Sequence, residues 1–122
     1  MNIERKEKNG QSVACAYSAV PVICDVQSAL DVLMRVRYET GSTALCINKE
    51  AFCQDFFVLS SGIAGEILQK FVTYQTKLAI YGDYSRYTSK PLQDFIRESN
   101  EGKQIFFPNS EDEALERLTR EV

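Results

Sequence analysis

Nine consecutive residues, Gly82-Asp83-Tyr84-Ser85-Arg86-Tyr87-Thr88-Ser89-Lys90, hold a carboxylate, two cations, two phenols and three hydroxyls. Such density in one loop can bind a phosphate, a carboxylate or a partner's backbone, with Arg86 and Lys90 holding an anion and Asp83 acting as a base. The same residues also suit an ordinary loop, with Asp83 turning the chain, Ser89 capping a helix, and Tyr84 and Tyr87 on the rim of the core. A second segment, Ser60-Ser61-Gly62-Ile63-Ala64-Gly65, places hydroxyls and glycines where a helix begins. A phosphate there would meet free backbone N–H groups and the positive end of the helix dipole. The simpler reading is that a serine caps the helix and Gly65 packs closely.

The rest of the composition removes chemistries. The chain has no histidine, so serine–histidine and cysteine–histidine hydrolysis and histidine-ligated metal sites are excluded. Cys15, Cys24, Cys46 and Cys53 include no C-x-x-C pair, and three of them lie in apolar runs, where a cysteine acts as a small hydrophobe. Reduced thiols and a cytoplasmic location are expected, because the mixed-charge start Met1 to Lys8 lacks a secretory apolar segment and no run approaches the ~20 residues of a membrane span. Asp55, Glu66 and Asp83 could approach one another, although solvated charge is the better reading of Glu66. Glu111-Asp112-Glu113 suits the first turn of a helix. Fourteen basic against seventeen acidic residues leave a net charge of −3 with the cations scattered, which disfavours nucleic acid or an anionic membrane as partner. No catalytic residue, metal ligand set or cofactor is assigned.

These residues need a scaffold, and at 122 residues the chain can bury roughly two-thirds of its unfolded surface as one domain spanning residues 1–122. Asn9-Gly10 predicts a type I′ turn between a charged edge strand and the apolar run Val13 to Tyr17. Asp25 caps a helix through about Thr40 that ends at Gly41, with Val26, Ala29, Leu30, Leu33, Val36 and Met34 inward. Thr43 to Ile47 reads as a buried strand, followed by a polar and aromatic connection from Asn48 to Ser61. Ile63, Ala64, Ile67, Leu68, Phe71 and Val72 or Tyr74 recur at helical spacing behind a Ser60-Ser61 cap. Lys77 to Tyr81 is a buried strand. Ser89 or Thr88 opens a helix with Pro91 in its first turn and Leu92, Phe95 and Ile96 inward, ending at Gly102. Gln104 to Phe107 is a last strand, and Ser110 with Glu113 forms a capping box for a C-terminal helix carrying Leu115 and Leu118.

The order β-β-α-β-α-β-α-β-α predicts an α/β fold with a mostly parallel mixed central sheet and an N-terminal hairpin. Ligands of such sheets meet the carboxyl ends of the strands. Asn48-Lys49, Ser60 to Gly62, Asp83 to Lys90 and Asn109-Ser110 converge there. The candidate ligand- or partner-binding residues are accordingly Asn48, Ser60, Gly62, Asp83, Tyr84, Ser85, Arg86, Tyr87 and Lys90.

Phe57-Val58-Leu59-Ser60-Ser61-Gly62-Ile63-Ala64-Gly65 resembles the loop-to-helix signature of STAS domains, the anti-sigma-factor-antagonist fold, and the element order is similar over essentially the whole chain. The resemblance implies a STAS-like fold in which Ser61 is the phosphorylated serine, with a kinase or anti-sigma-type regulator as partner. Leu59 stands where that family usually has aspartate, and the connection from Ile47 to Ser60 is longer by about a helical turn. Asp55-Phe56-Phe57, Gly62 to Phe71, Gly82 to Lys90 and Asp94 to Asn100 resemble a bacterial family of small single-domain proteins, domain-of-unknown-function family 4180, which implies no activity. Two functions are expected from this reading. The first is a non-enzymatic regulatory or interaction module with a phosphorylatable Ser61, acting alone or as a homodimer. The second is a binder of, or modest enzyme on, a small anionic metabolite at the strand ends.

Overall fold

The computed structural model describes residues 1–120. β1 (Asn2–Lys8) and β2 (Gln11–Tyr17) pair antiparallel through Asn9 and Gly10, both at positive φ (55° and 76°), as a type I′ turn requires. β3 (Ala44–Asn48), β4 (Lys77–Tyr81) and β5 (Ile105–Phe106) follow. The strands lie in the order β1-β2-β3-β4-β5, and every pair from β2 onward is parallel. The charged β1 takes the edge, where its lysines and glutamates discourage further pairing.

Because each crossover steps one strand along in the same direction, its helices fall on one face of the sheet. α1 (Val26–Thr40), α2 (Ile63–Thr73) and α3 (Lys90–Glu101) occupy that face. Ala14, Ala16, Leu45, Ile47, Leu78 and Ile80 pack there against Leu33 and Val36 of α1 and Ile67 and Phe71 of α2, with Phe95 and Ile96 of α3 at the margin. The alternate strand residues Val13, Cys15, Ala44, Cys46, Ala79 and Phe106 face the other way, under Ala114 and Leu118 of α4 (Glu111–Thr119). Each large aliphatic or aromatic side chain removed from water in these layers contributes about 1.5–3 kcal/mol.

The caps follow the local chemistry except at α2 and α4, and the inward faces of α1 and α2 differ in detail. Asp25 and Ser28 form a reciprocal capping box at α1, and Gly41 ends that helix at φ 69°. The buried positions of α1 are Ala29, Val32, Leu33 and Val36. That i, i+3, i+4, i+7 stripe turns Met34 outward and brings in Val32, which the expected inward set omitted. The expected serine cap of α2 is replaced by Gly62 at φ 78°, because Ser61 is drawn into a 3-10 turn, Leu59–Ser61; Val72 and Tyr74 are exposed. At α4, Ser110 accepts from the Glu113 N–H, but the Glu113 carboxylate reaches past it to the N–H of Asn109 (3.0 Å).

The connection from β3 to α2 folds into three 3-10 turns, Lys49–Ala51, Gln54–Phe57 and Leu59–Ser61, burying Ala51, Phe52 and Phe56. The N–H groups of Val22 and Ile23 donate to the Ala51 carbonyl (2.8 and 2.9 Å), and the Cys53 N–H donates to Ile23 (3.1 Å). These contacts bring Cys24 and Cys53 to a Cα separation of 5.0 Å, and the two are disulfide-bonded. The expectation of four reduced thiols is thus corrected for this pair. Their 29-residue separation hid a contact made by the loop's path, whereas Cys15 and Cys46 are free and buried.

Candidate functional site

At the carboxyl edge of the sheet, Lys49 follows β3 directly, and its ammonium lies 4.8 Å from the centroid of the Tyr87 ring and 3.3 Å from its hydroxyl. Phe57 packs at a tilt against Tyr87 (5.3 Å) and Tyr84 (6.2 Å), and Tyr84 meets Tyr87 (5.6 Å) and Phe107 (5.7 Å) edge-on. The aromatic block thereby joins the β3–α2 turns to the β4–α3 loop. Gly82 passes so close to Lys49 that a Cβ there would lie 2.6 Å from the lysine's Cγ and Cδ. Lys49, Glu50, Phe52, Gln54, Phe57 and Tyr87 line an open cleft of about 270 Å³ with Ala19 and Pro21. Val20 (62% exposed) and Val58 (51%), neighbours in sequence of cleft-lining residues, remain in solvent.

Several candidate residues serve structural ends here. Asn48 is buried; its amide donates to the Ser18 carbonyl (2.7 Å) and its oxygen accepts from the Ser18 N–H (2.9 Å), tying the end of β2 to β3. Tyr84 donates its hydroxyl to the Ile80 carbonyl (2.6 Å), and burial pushes its phenol far above the usual value. Asp83 accepts from the Ser85 N–H (2.9 Å); the Ser85 hydroxyl and N–H hold its carboxyl below the usual range, with Lys49 and Arg86 adding to the effect. A carboxylate so stabilised is a weak base near neutral pH. Lys90 turns along its own helix to Asp94 (2.8 Å). Arg86 is exposed and is not among the residues lining the cleft, so the cations expected to grip an anion do not converge on it.

Ser60, Ser61 and Gly62 are exposed ahead of α2. The Ser61 hydroxyl donates to the Asp55 carbonyl (2.8 Å) and accepts from the Ile63 N–H (3.2 Å). Asp55, Glu66 and Asp83 do not form a donor cluster. Among the described residues the one cluster able to hold a metal is Cys15, Cys46 and Glu111, whose donor atoms lie within 4.8 Å of one another. Cys15 and Cys46 are direct partners across β2 and β3; the mutual hydrogen bond lowers the first thiol and, with burial, raises the second. Both sit at matching positions of short apolar strands, a signal that becomes readable only once the register is known. The other omission, Lys49 as an anchor, had a fainter signal in its place directly after a buried strand.

The sheet also shields phenols. Burial, followed by the influence of Cys46, raises Tyr81 to about 12. Above pH 10 the unfolded chain's phenols ionise while Tyr81 and Tyr84 stay protonated, so the native state binds more protons and stability falls as pH rises toward 12. Absorbance titration is expected to show Tyr81 and Tyr84 ionising above the usual phenol range, together with unfolding. Ionisation of Tyr81 and Tyr84 near pH 10 in the still-folded protein would contradict the burial.

The profile of a domain of unknown function, DUF4180, matches residues 8–118. The chain belongs to the DUF4180 family. The DUF4180 span takes in the whole carboxyl edge, including Lys49, Ser61 and Tyr87. No curated protein and no solved structure matches the chain. Among the described residues, no helix is long and apolar enough to cross a membrane.

Proposed function

We propose that this DUF4180 protein is a non-enzymatic interaction module that docks a protein partner at the carboxyl edge of its sheet, over the cleft between Lys49, Phe57 and Tyr87. The observation that carries the reading is the exposure of Val20 and Val58 beside an aromatic cleft of about 270 Å³. Apolar surface of this kind, rimmed by polar groups, is characteristic of partner sites. The edge offers little for catalysis: Asp83 is a poor base, the Tyr84 phenol is committed to a carbonyl, and Arg86 and Lys90 do not converge on the cleft.

Ser61 is the switch in this reading. Phosphorylation would remove its hydrogen bond to Asp55 and set a dianion beside the free N–H groups of the first turn of α2, altering the turn that carries Phe57 and Val58. The Ser-Ser-Gly opening and the element order support a STAS-like partnership with a kinase or anti-sigma-type regulator.

Quantitative affinity purification with the full chain tests both parts. Proteins retained by wild type and by Tyr38→Ser, a substitution on the outer face of α1, are expected to be lost from Lys49→Ala and Tyr87→Ser. Gly82→Ala should weaken capture by displacing Lys49, with stability changed by less than about 1 kcal/mol. Equal capture by all variants would refute the docking edge. Equal capture by Ser61→Ala, Ser61→Asp and wild type would refute the switch. Thermal-shift hits from anionic metabolites that vanish in Arg86→Ala would favour the ligand-binding alternative.

A further inference from the structure

We propose that Cys15, Cys46 and Glu111 form a binding site for a thiophilic divalent cation of the zinc class, on the face of the sheet opposite the docking edge's helices. The register makes Cys15 and Cys46 direct Cα partners, so both side chains stand on the α4 face of the sheet. Ser110 caps α4 and thereby sets Glu111, its first residue, over the pair. All three donor atoms lie within 4.8 Å of one another. A tetrahedral zinc with Zn–S of about 2.3 Å and Zn–O of about 2.0–2.2 Å holds its donors just under 4 Å apart, so closure requires shifts of only about 1 Å.

The surroundings suit the charge of such a site. Two thiolates and a carboxylate around a divalent cation leave one net negative charge, and the Lys6 ammonium sits 2.9 Å from the Glu111 carboxylate to balance it. Each thiol releases its proton to solvent as it coordinates. Val13, Ala44, Ala79 and Phe106 make the rest of the layer apolar, which keeps competing water from the sulfurs. Lys6 and Glu111 are more than a third exposed, so the cation has a path in and the fourth position is left to a water. Two thiols and a carboxylate select a soft cation over magnesium or calcium.

Cobalt(II) is the probe, because bound thiolates give it a charge-transfer band in the near ultraviolet that carboxylates alone do not. The full chain, with the Cys24–Cys53 bond closed, is expected to take up one equivalent of cobalt with that band and to lose it when zinc is added. Cys15→Ser and Cys46→Ser should abolish the band. Lys6→Met, at a half-buried position on the edge strand β1, should keep the band and weaken affinity about tenfold. Cys24→Ser/Cys53→Ser should leave both unchanged. Absence of the band with excess cobalt, or its survival in Cys15→Ser, would overturn the proposal, as would its loss in a Cys24→Ser/Cys53→Ser protein that circular dichroism shows to be folded.

Discussion

Opening the Cys24–Cys53 bond, by reductant or in Cys24→Ser/Cys53→Ser, is expected to destabilise the protein by about 3–4 kcal/mol and to lower Tm by about 10–20 °C. The estimate follows from the 29-residue loop the bond closes, through the chain entropy that an open unfolded state regains. Three backbone hydrogen bonds, from Val22 and Ile23 to Ala51 and from Cys53 to Ile23, hold the same two segments together without the sulfurs. Native geometry at the cleft should therefore survive: Phe52 stays bridged to Ile23 and buried, while the unfolded state gains freedom. Thermal unfolding with and without reductant, followed by circular dichroism, measures the effect. A shift below about 2 °C would mean that the two cysteines add no constraint to the unfolded chain.

The second large effect is expected at Asn48. Its side chain acts as an extra rung between β2 and β3, accepting from the Ser18 N–H and donating to the Ser18 carbonyl, and it also donates to Glu50 (3.2 Å). Asn48→Ala leaves a buried donor and a buried acceptor unpaired at about 1–3 kcal/mol each, for a total of about 2–6 kcal/mol. Asn48→Asp should cost a similar amount, because it sets a carboxylate against the Ser18 carbonyl and Glu50. Glu50→Gln, at an exposed position, should fall within about 0.5 kcal/mol of wild type. Chemical denaturation separates these outcomes through the midpoint at constant slope. If Asn48→Ala kept full stability yet lost partner capture, Asn48 would belong to the docking surface after all.

These two results bear on how far the candidate site could be read in advance. Asn48 stood at the carboxyl end of a buried strand, where polar residues commonly meet ligands, but its two-sided match to Ser18 depends on the spacing of β2 and β3. The density of the 82–90 loop points to Arg86 and Lys90 as anion ligands; Lys90 instead begins α3, and the i, i+4 partner Asp94 takes its charge. Tyr84 and Tyr87 do share one block, but Phe57 and Lys49, from a different loop, complete it. Ser61 is exposed ahead of α2 as the Ser-Ser-Gly pattern implied, although Gly62 rather than serine caps the helix.

What the sequence by itself determined was what short-range physics controls. The Asn9-Gly10 turn, the limits of α1 between Asp25 and Gly41, the Ser89 cap with Pro91 behind it, and the alternation of strands with helices depend on backbone preferences and periodicities within a few residues. Absent histidine and scattered charge narrowed the chemistry in the same way. Only the tertiary structure decided which distant side chains meet. The Cys24–Cys53 bond, the Cys15–Cys46–Glu111 cluster and the seat of Lys49 on Tyr87 each require a loop's path or a strand's register, and a one-residue slip in register would turn every side chain of that strand to the opposite face.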